Sequence, residues 1–234
     1  HDLLVLNKAC GLLSVSYDGD HSDTAYDRLL HYVRKGNPRS KARIYMVHRI
    51  DRDTSGVLMF AKNPAAREFL LEEWKNFSKQ YVALVHGHLH PPEGILTSHL
   101  AEQEGHIMVS VPESEGGQFA KTGYSTVQTS KKFSLLTVDL YTGRKNQIRA
   151  HLSEQGHPVV GDRKYGADRP MMGKRLYLHA ATLQIVHPHT KQSMTFTAPT
   201  PAAFEALLTG QSTKNIPIPE KGSHRSRHRK PESD

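Results

Sequence analysis

Cysteine is nearly absent from this chain of 234 residues, with Cys10 alone. An intrachain disulfide is thereby excluded. A lone thiol with no helix start or cationic cluster evident around it reads as a small buried apolar residue rather than a reactive one. It also fits a reducing compartment, so a cytoplasmic location is expected. Long apolar runs are missing too. None approaches the roughly 20 residues that span a bilayer, and no membrane partner is expected. His1 leads straight into Leu3-Leu4-Val5-Leu6 without a signal-peptide pattern, and upstream residues are left open. Neither a Gly-x-Gly-x-x-Gly nor a Walker-type loop occurs, so a nucleotide cofactor has no support.

Basic charge is what the chain has in excess. Lys and Arg number 31 against 23 Asp and Glu, a net of +8. The last 14 residues hold five basic and two acidic ones, which leaves 26 and 21 in residues 1–220. The body is therefore basic without its tail. A basic surface attracts polyanions, nucleic acid first among them.

Apolar periodicity predicts strands over residues 3–7, 12–15, 44–47, 56–61 and 80–86, and a hairpin of 123–128 with 134–141. Further strands are predicted over 182–187 and 193–197. Helices are predicted over 23–34, capped by Ser22 or Asp23 and stopped by Gly36, and over 64–74 behind an Asn63 cap with Pro64 at the first position. Two more follow at 146–155 and 201–208. Residues 91–120, broken by Gly, Pro and Glu, read as loops with brief strands. Strands outnumber helices without strict alternation. The expected fold is α+β, with a mixed, largely antiparallel sheet flanked by helices and loops. One domain over residues 1–210 is expected, followed by a polar, basic, disordered tail over 211–234.

The segment His48-Arg49-Ile50-Asp51-Arg52-Asp53-Thr54-Ser55-Gly56 is densely polar between two apolar strands. Loops held this way commonly carry function. Arginines beside a carboxylate keep it ionised and can grip phosphate. The same residues also suit an ordinary turn held by Asp and Thr hydrogen bonds. Asp51 and Asp53 would point to opposite faces of a strand, whereas a loop leaves their geometry open. The 16 histidines include alternating sets at 86, 88 and 90 and at 187 and 189, yet no acidic or cysteine partner stands at a metal-ligand spacing, and no metal is expected.

This loop resembles the signature of the RluA-type pseudouridine synthases. Further blocks follow in the family's order: Asn7-Lys8 with Gly11-Leu12, Lys79-Gln80-Tyr81-Val82-Ala83 with Gly87, and the arginine block from Thr142 through Arg149 to Leu152. Gly156-His157-Pro158, Gly161-Asp162 and Leu178-His179-Ala180 match as well, so the resemblance spans roughly residues 2–200. Ala9 stands where the family usually has proline, Ile50 where it has leucine, and Asn146 where histidine is more usual.

The resemblance implies an RNA-binding enzyme that isomerises uridine to pseudouridine in ribosomal or transfer RNA, with no cofactor and no obligatory protein partner. It implies Asp51 as the catalytic carboxylate, Asp53 as structural, Tyr81 as the residue packed on uracil, and Arg149 as the partner of Asp51. Arg49 would fill the stack left by the flipped base, and His48, Arg52 and Arg144 would contact phosphate or loop. Substrate choice would lie in the variable loops 17–23 and 102–118. A non-catalytic RNA-binding homologue, a glycosylase or glycoside hydrolase, and a plain basic binding module are the competing readings. Intact Asp51, Tyr81 and Arg149 weigh against the first, and the ordered blocks against the last.

Overall fold

The computed structural model describes residues 2–16, 23–166, 168, 175–213 and 216. Ten strands form one sheet. They are β1 (Leu3–Lys8), β2 (Tyr45–Met46), β3 (Ser55–Ala61), β4 (Ser78–His86), β5 (Glu93–Gln103), β6 (Ile107–Val111), β7 (Gln118–Thr129), β8 (Phe133–Leu140), β9 (Leu178–Val186) and β10 (Ser193–Thr197). Four helices flank it: α1 (Ala25–Val33), α2 (Pro64–Glu73), α3 (Gln147–Glu154) and α4 (Ala203–Leu208). The order across the sheet is β1-β3-β9-β4-β8-β7-β5-β6, with β2 on β3 and β10 on β9. Every pairing is antiparallel except β3 with β9, which is parallel over two residue pairs, Ser55 with His179 and Gly56 with Ala180. The mixed, largely antiparallel α+β expectation holds.

β3 is the central support of the site. All seven of its residues are buried, because it is covered on both faces. Leu58 and Phe60 pack toward α1, while Val57, Met59 and Ala61 pack toward α2 and the β9–β10 side. Burying each large apolar side chain contributes roughly 1.5–3 kcal/mol, so the loop entering β3 is fixed to a rigid base. Gly56 is obligatory in this strand. Its φ is +116°, and a Cβ there would lie 2.2 Å from the Ala180 carbonyl oxygen across the parallel seam.

The helix boundaries follow from their caps. Asn63 accepts from Ala66 N–H (2.8 Å) and Pro64 opens α2, as expected. α1 differs: its cap is Thr24, which accepts from Asp27 N–H (3.1 Å), and Asp23 pairs instead with Arg28. Ser22 and nearly all of the variable loop 17–23 lie outside the described residues.

Residues 12–15 are not the expected strand. Leu12 is buried, but the Leu13 and Ser14 carbonyls accept the unpaired first N–H groups of α1, Ala25 at 2.8 Å and Tyr26 at 3.1 Å. The loops with brief strands expected over 91–120 instead hold β5 of 11 residues and β6 of five, and β7 begins at Gln118. Gly105 and Gly116 sit between these strands with φ of +71° and +80°, so they turn the chain rather than break a strand. Leu178 to Ala181 also belong to β9, so that strand starts earlier than the apolar pattern suggested.

Most of the tail 211–234 lies outside the described residues, but Ile216 packs against the core formed by β4, β8, α3 and α4. Among the described residues, no helix is long and apolar enough to cross a membrane.

Candidate active site

The polar loop 47–54 is pinned from below by the segment that follows β1. Lys8 is almost fully buried, and its ammonium donates to the carbonyls of Ala9 (3.0 Å), Leu12 (2.7 Å) and Arg52 (2.9 Å). Gly11 N–H reaches the same Arg52 carbonyl at 2.9 Å. Ser14 Oγ donates to the Ile50 carbonyl at 2.7 Å. Residues 50 and 52 are thus held on either side of Asp51. Burial lowers the Lys8 pKa to about 8, while Cys10, Asp53 and Asp51 pull it the other way. Beneath Ser55, Arg175 Nη2 donates to its hydroxyl (2.5 Å), which bonds His179 Nδ1 (2.8 Å). His179 Nε2 faces the Ala198 carbonyl (3.1 Å), so Nε2 carries the proton and Nδ1 accepts from Ser55.

Across the cleft, α3 delivers Arg149. Its guanidinium makes a two-point fork on Asp162, Nε to Oδ2 at 2.7 Å and Nη2 to Oδ1 at 2.8 Å. The remaining nitrogen, Nη1, donates to Asp51 Oδ2 (3.1 Å) and Asn146 Oδ1 (3.0 Å). The Asp162 side chain is fully buried, that of Arg149 is 12% exposed and that of Asp51 29%. Burial opposes the charge on Arg149, but its bonds to Asp162 and Asp51 raise its pKa above the ordinary guanidinium value. Burial likewise works to raise the Asp162 carboxyl, and Arg149 with the Tyr165 and Lys164 N–H groups brings it below its ordinary value. Arg149 also lies over the Tyr165 ring, 5.1 Å from its centroid.

A cleft with about 440 Å³ of open volume is lined by Asp51, Arg49, Tyr81, Arg144, Asn146 and Arg149, among others. Tyr81, at a β-bulge in β4, also lines an adjoining hollow with His48, Trp74 and Lys79. Burial, reinforced by the Asp51 charge, raises the Tyr81 phenol above its ordinary pKa.

His48 points into the protein. Its Nε2 accepts from Met59 N–H (3.0 Å) and its ring stacks on Trp74 with centroids 4.5 Å apart. Burial, with a smaller contribution from Lys79, pushes its pKa down to about 3. A histidine kept neutral in the fold stabilises it fully above its unfolded value near 6.5. That stability is lost as pH falls from there toward 3, at up to about 1.4 kcal/mol per pH unit. His48→Gln, which supplies a neutral acceptor, is expected to flatten the acid side of a melting-temperature profile between those limits. An unchanged slope would show that the imidazole is not held neutral.

The chain as a whole is similar to known proteins. Residues 2–154 match the family model for RNA pseudouridylate synthase. The chain belongs to that family. It is 32% identical over 213 residues to the uncharacterized RNA pseudouridine synthase YjbO of Bacillus subtilis, covering 90% of this chain and 74% of that one. It is 35% identical to the dual-specificity RNA pseudouridine synthase RluA of Escherichia coli over 84% of this chain and 89% of that one. A solved human structure, RNA pseudouridylate synthase domain containing 1, aligns with a TM-score of 0.66 at 26% identity, covering 86% and 80% of the two chains. The protein is an RNA pseudouridine synthase of the RluA type, an isomerase that acts on RNA and converts uridine to pseudouridine.

In this synthase, five of the residues singled out in the sequence meet at one cleft: Asp51, Tyr81, Arg149, Arg49 and Arg144. Arg144 also donates from Nε to the Phe119 carbonyl (2.9 Å). Arg52 is exposed, and its carbonyl is the part of it that holds the loop. Asp53 is exposed and does not line the cleft.

Three structural participants went unassigned in the sequence. Lys8 and Asp162 stand inside matched blocks, which is the signal that could have found them. Gln147 is the third. Its buried amide accepts from Thr142 Oγ1 (2.8 Å) and Arg144 N–H (3.0 Å) and donates to Lys121 O (3.0 Å) and Thr122 Oγ1 (2.8 Å), which ties down the turn before α3. Asn146 precedes the helix instead of starting it, in a left-handed conformation with φ of +52°. There it holds Arg149 and reaches Tyr165 Oη at 3.3 Å. Cys10 is buried, and burial raises its thiol pKa.

Proposed function

We propose that Asp51 is the carboxylate that acts at the ribose during isomerisation, in ribosomal or transfer RNA. The observation that carries this reading is the Arg149 fork. Anchored on buried Asp162, it presents one remaining nitrogen to Asp51 Oδ2 at the cleft. That contact orients the carboxylate and leaves its other oxygen for chemistry. The reaction breaks the uracil N1–C1′ bond and forms C5–C1′. N1 gains a proton and C5 loses one, with no change in oxidation state. An ionised Asp51 can attack C1′ or remove a sugar proton, and either route needs it charged and oriented.

Tyr81 serves as the surface on which uracil packs and as a hydrogen-bond donor, since a phenol with a raised pKa stays protonated near neutrality. Arg49 occupies the gap left when the uridine leaves its stack, and Arg144 contacts the backbone. His48 supports the loop through Met59 and Trp74. Residues 1–210 form the catalytic unit, acting in the cytoplasm without a cofactor or an obligatory protein partner.

The test uses unmodified total RNA tritiated at uracil C5. The native protein is expected to release tritium to water with no free uracil, and mapping the modified position then identifies the substrate RNA. Free uracil would mean glycosylase chemistry. Binding with no release from ribosomal and transfer RNA would overturn the assignment of those substrates.

A further inference from the structure

A second basic surface lies away from the cleft. From Arg28 to Arg49 the chain carries seven Lys and Arg residues and no Asp or Glu. The fold gathers part of this run, after α1 and into β2, around a concave surface that Lys62 completes just after β3. Lys35, Lys41, Arg43 and Lys62 line it with Tyr32 and Tyr45. All four cations are exposed, and none forms an ion pair among the described residues. The carboxylate of neighbouring Asp2 is turned to Asn63 (2.9 Å) and His187 (3.8 Å) instead. Tyr32 is 71% exposed, so its ring is open to a stacking partner.

A helix C-terminus attracts cations through its dipole, and that could account for Lys35. It does not account for Lys41 and Arg43, which lie between α1 and β2, or for Lys62, which follows β3. Four cations without an ion pair among the described residues, set around exposed Tyr32 and half-buried Tyr45, match the chemistry of a nucleic-acid backbone with an unpaired base or ribose against the exposed ring. The position suits an RNA already engaged at the cleft. β3 runs from Ser55, beside the catalytic loop, to Ala61, beside this surface, a span of about 20 Å.

We propose that this surface is an auxiliary site for the phosphate backbone of the substrate RNA, gripping a segment that flanks the target uridine. It rests on the reading that RNA is the substrate, and it acts on affinity rather than on the chemical step. The cations supply the sequence-independent part of binding, and Tyr32 stacks on one exposed base.

The experiment measures binding of the full chain to unmodified total RNA across a salt series, separately from turnover. It compares the native protein with Lys35→Gln/Lys41→Gln/Arg43→Gln/Lys62→Gln and with the control Lys131→Gln/Lys132→Gln. The fourfold variant is expected to bind about tenfold or more weakly at physiological salt. Its slope of log K against log salt should fall by about 3, since each of the four lost phosphate contacts removes about 0.7–0.9. At saturating RNA the tritium-release rate should be unchanged. A fourfold variant no different from the control would overturn the proposal. So would retained RNA binding with lost binding to phosphatidylserine vesicles, which would make this a membrane surface.

A photoreactive phenylalanine analogue in place of Tyr32, in otherwise native protein, keeps the test independent of the fourfold variant's folding. RNA crosslinks near the modified uridine support the site, and their absence overturns it.

Discussion

Asp51→Asn is expected to lose tritium release by on the order of 10³-fold or more, because neither nucleophilic attack nor proton removal is open to a neutral amide. The loss should fall on the chemical step. Asp51 is 29% exposed at its side chain and receives only one of the Arg149 donors, so the two-point fork on Asp162 survives the change. The melting temperature and RNA affinity should therefore stay close to native. Asp53→Asn is the matched comparison, two residues on and outside the cleft, and is expected to keep activity within about twofold. Single-turnover rates on the mapped RNA measure both. Activity in Asp51→Asn, or its loss in Asp53→Asn with the fold intact, would remove Asp51 from the role proposed for it.

Asp162→Asn should injure both stability and rate. The carboxylate is fully buried and accepts from Arg149 Nε and Nη2 and from the N–H groups of Lys164 and Tyr165. An asparagine can keep the backbone contacts through its oxygen, but its amide then sets a donor against the guanidinium. Breaking a buried pair by removing one charge typically costs about 3–5 kcal/mol, because the other charge is left behind. Denaturant unfolding should show a loss of that order, and turnover should drop as Arg149 loses its anchor. Because the folded-state pKa of Asp162 is depressed, its stabilising contribution is present above the unfolded carboxylate value near 3.9 and is lost as pH falls through the lower folded value. The variant should lack that part of the acid-side decline. A variant as stable as native would mean that Asp51 alone compensates Arg149.

Much of this architecture could be read from residue order, and the misses have physical causes. Asn63-Pro64 announces α2 because both residues act locally. The arm of β5, β6 and β7 was hidden because β5 has a single buried residue, Leu100, and is otherwise exposed or half-buried, so its apolar signal is weak. Residues 12–15 look like a strand but spend their carbonyls on the start of α1, a non-local use that periodicity does not encode. The cleft residues Asp51, Tyr81 and Arg149 were legible through a family pattern, whereas their mutual geometry was not. Nothing in the spacing shows that Asp162 forks Arg149, that His48 turns inward onto Trp74, or that Asn146 adopts φ of +52° to hold the same arginine.

The two-pair parallel seam between β3 and β9 also bears on how the enzyme comes into being on the ribosome. β3 and β4 share no ladder in the sheet, and β9, synthesised well after both, is the strand that joins them. Asp51 enters from the β3 side and Arg149 from the helix after β8, which pairs with β4. A nascent chain that has emerged only through α3 therefore owns every cleft residue named here, yet it lacks the ladder that aligns them. The cleft is therefore complete only once β9 is paired with both β3 and β4, so a chain cut after α3 should carry these residues and show no turnover.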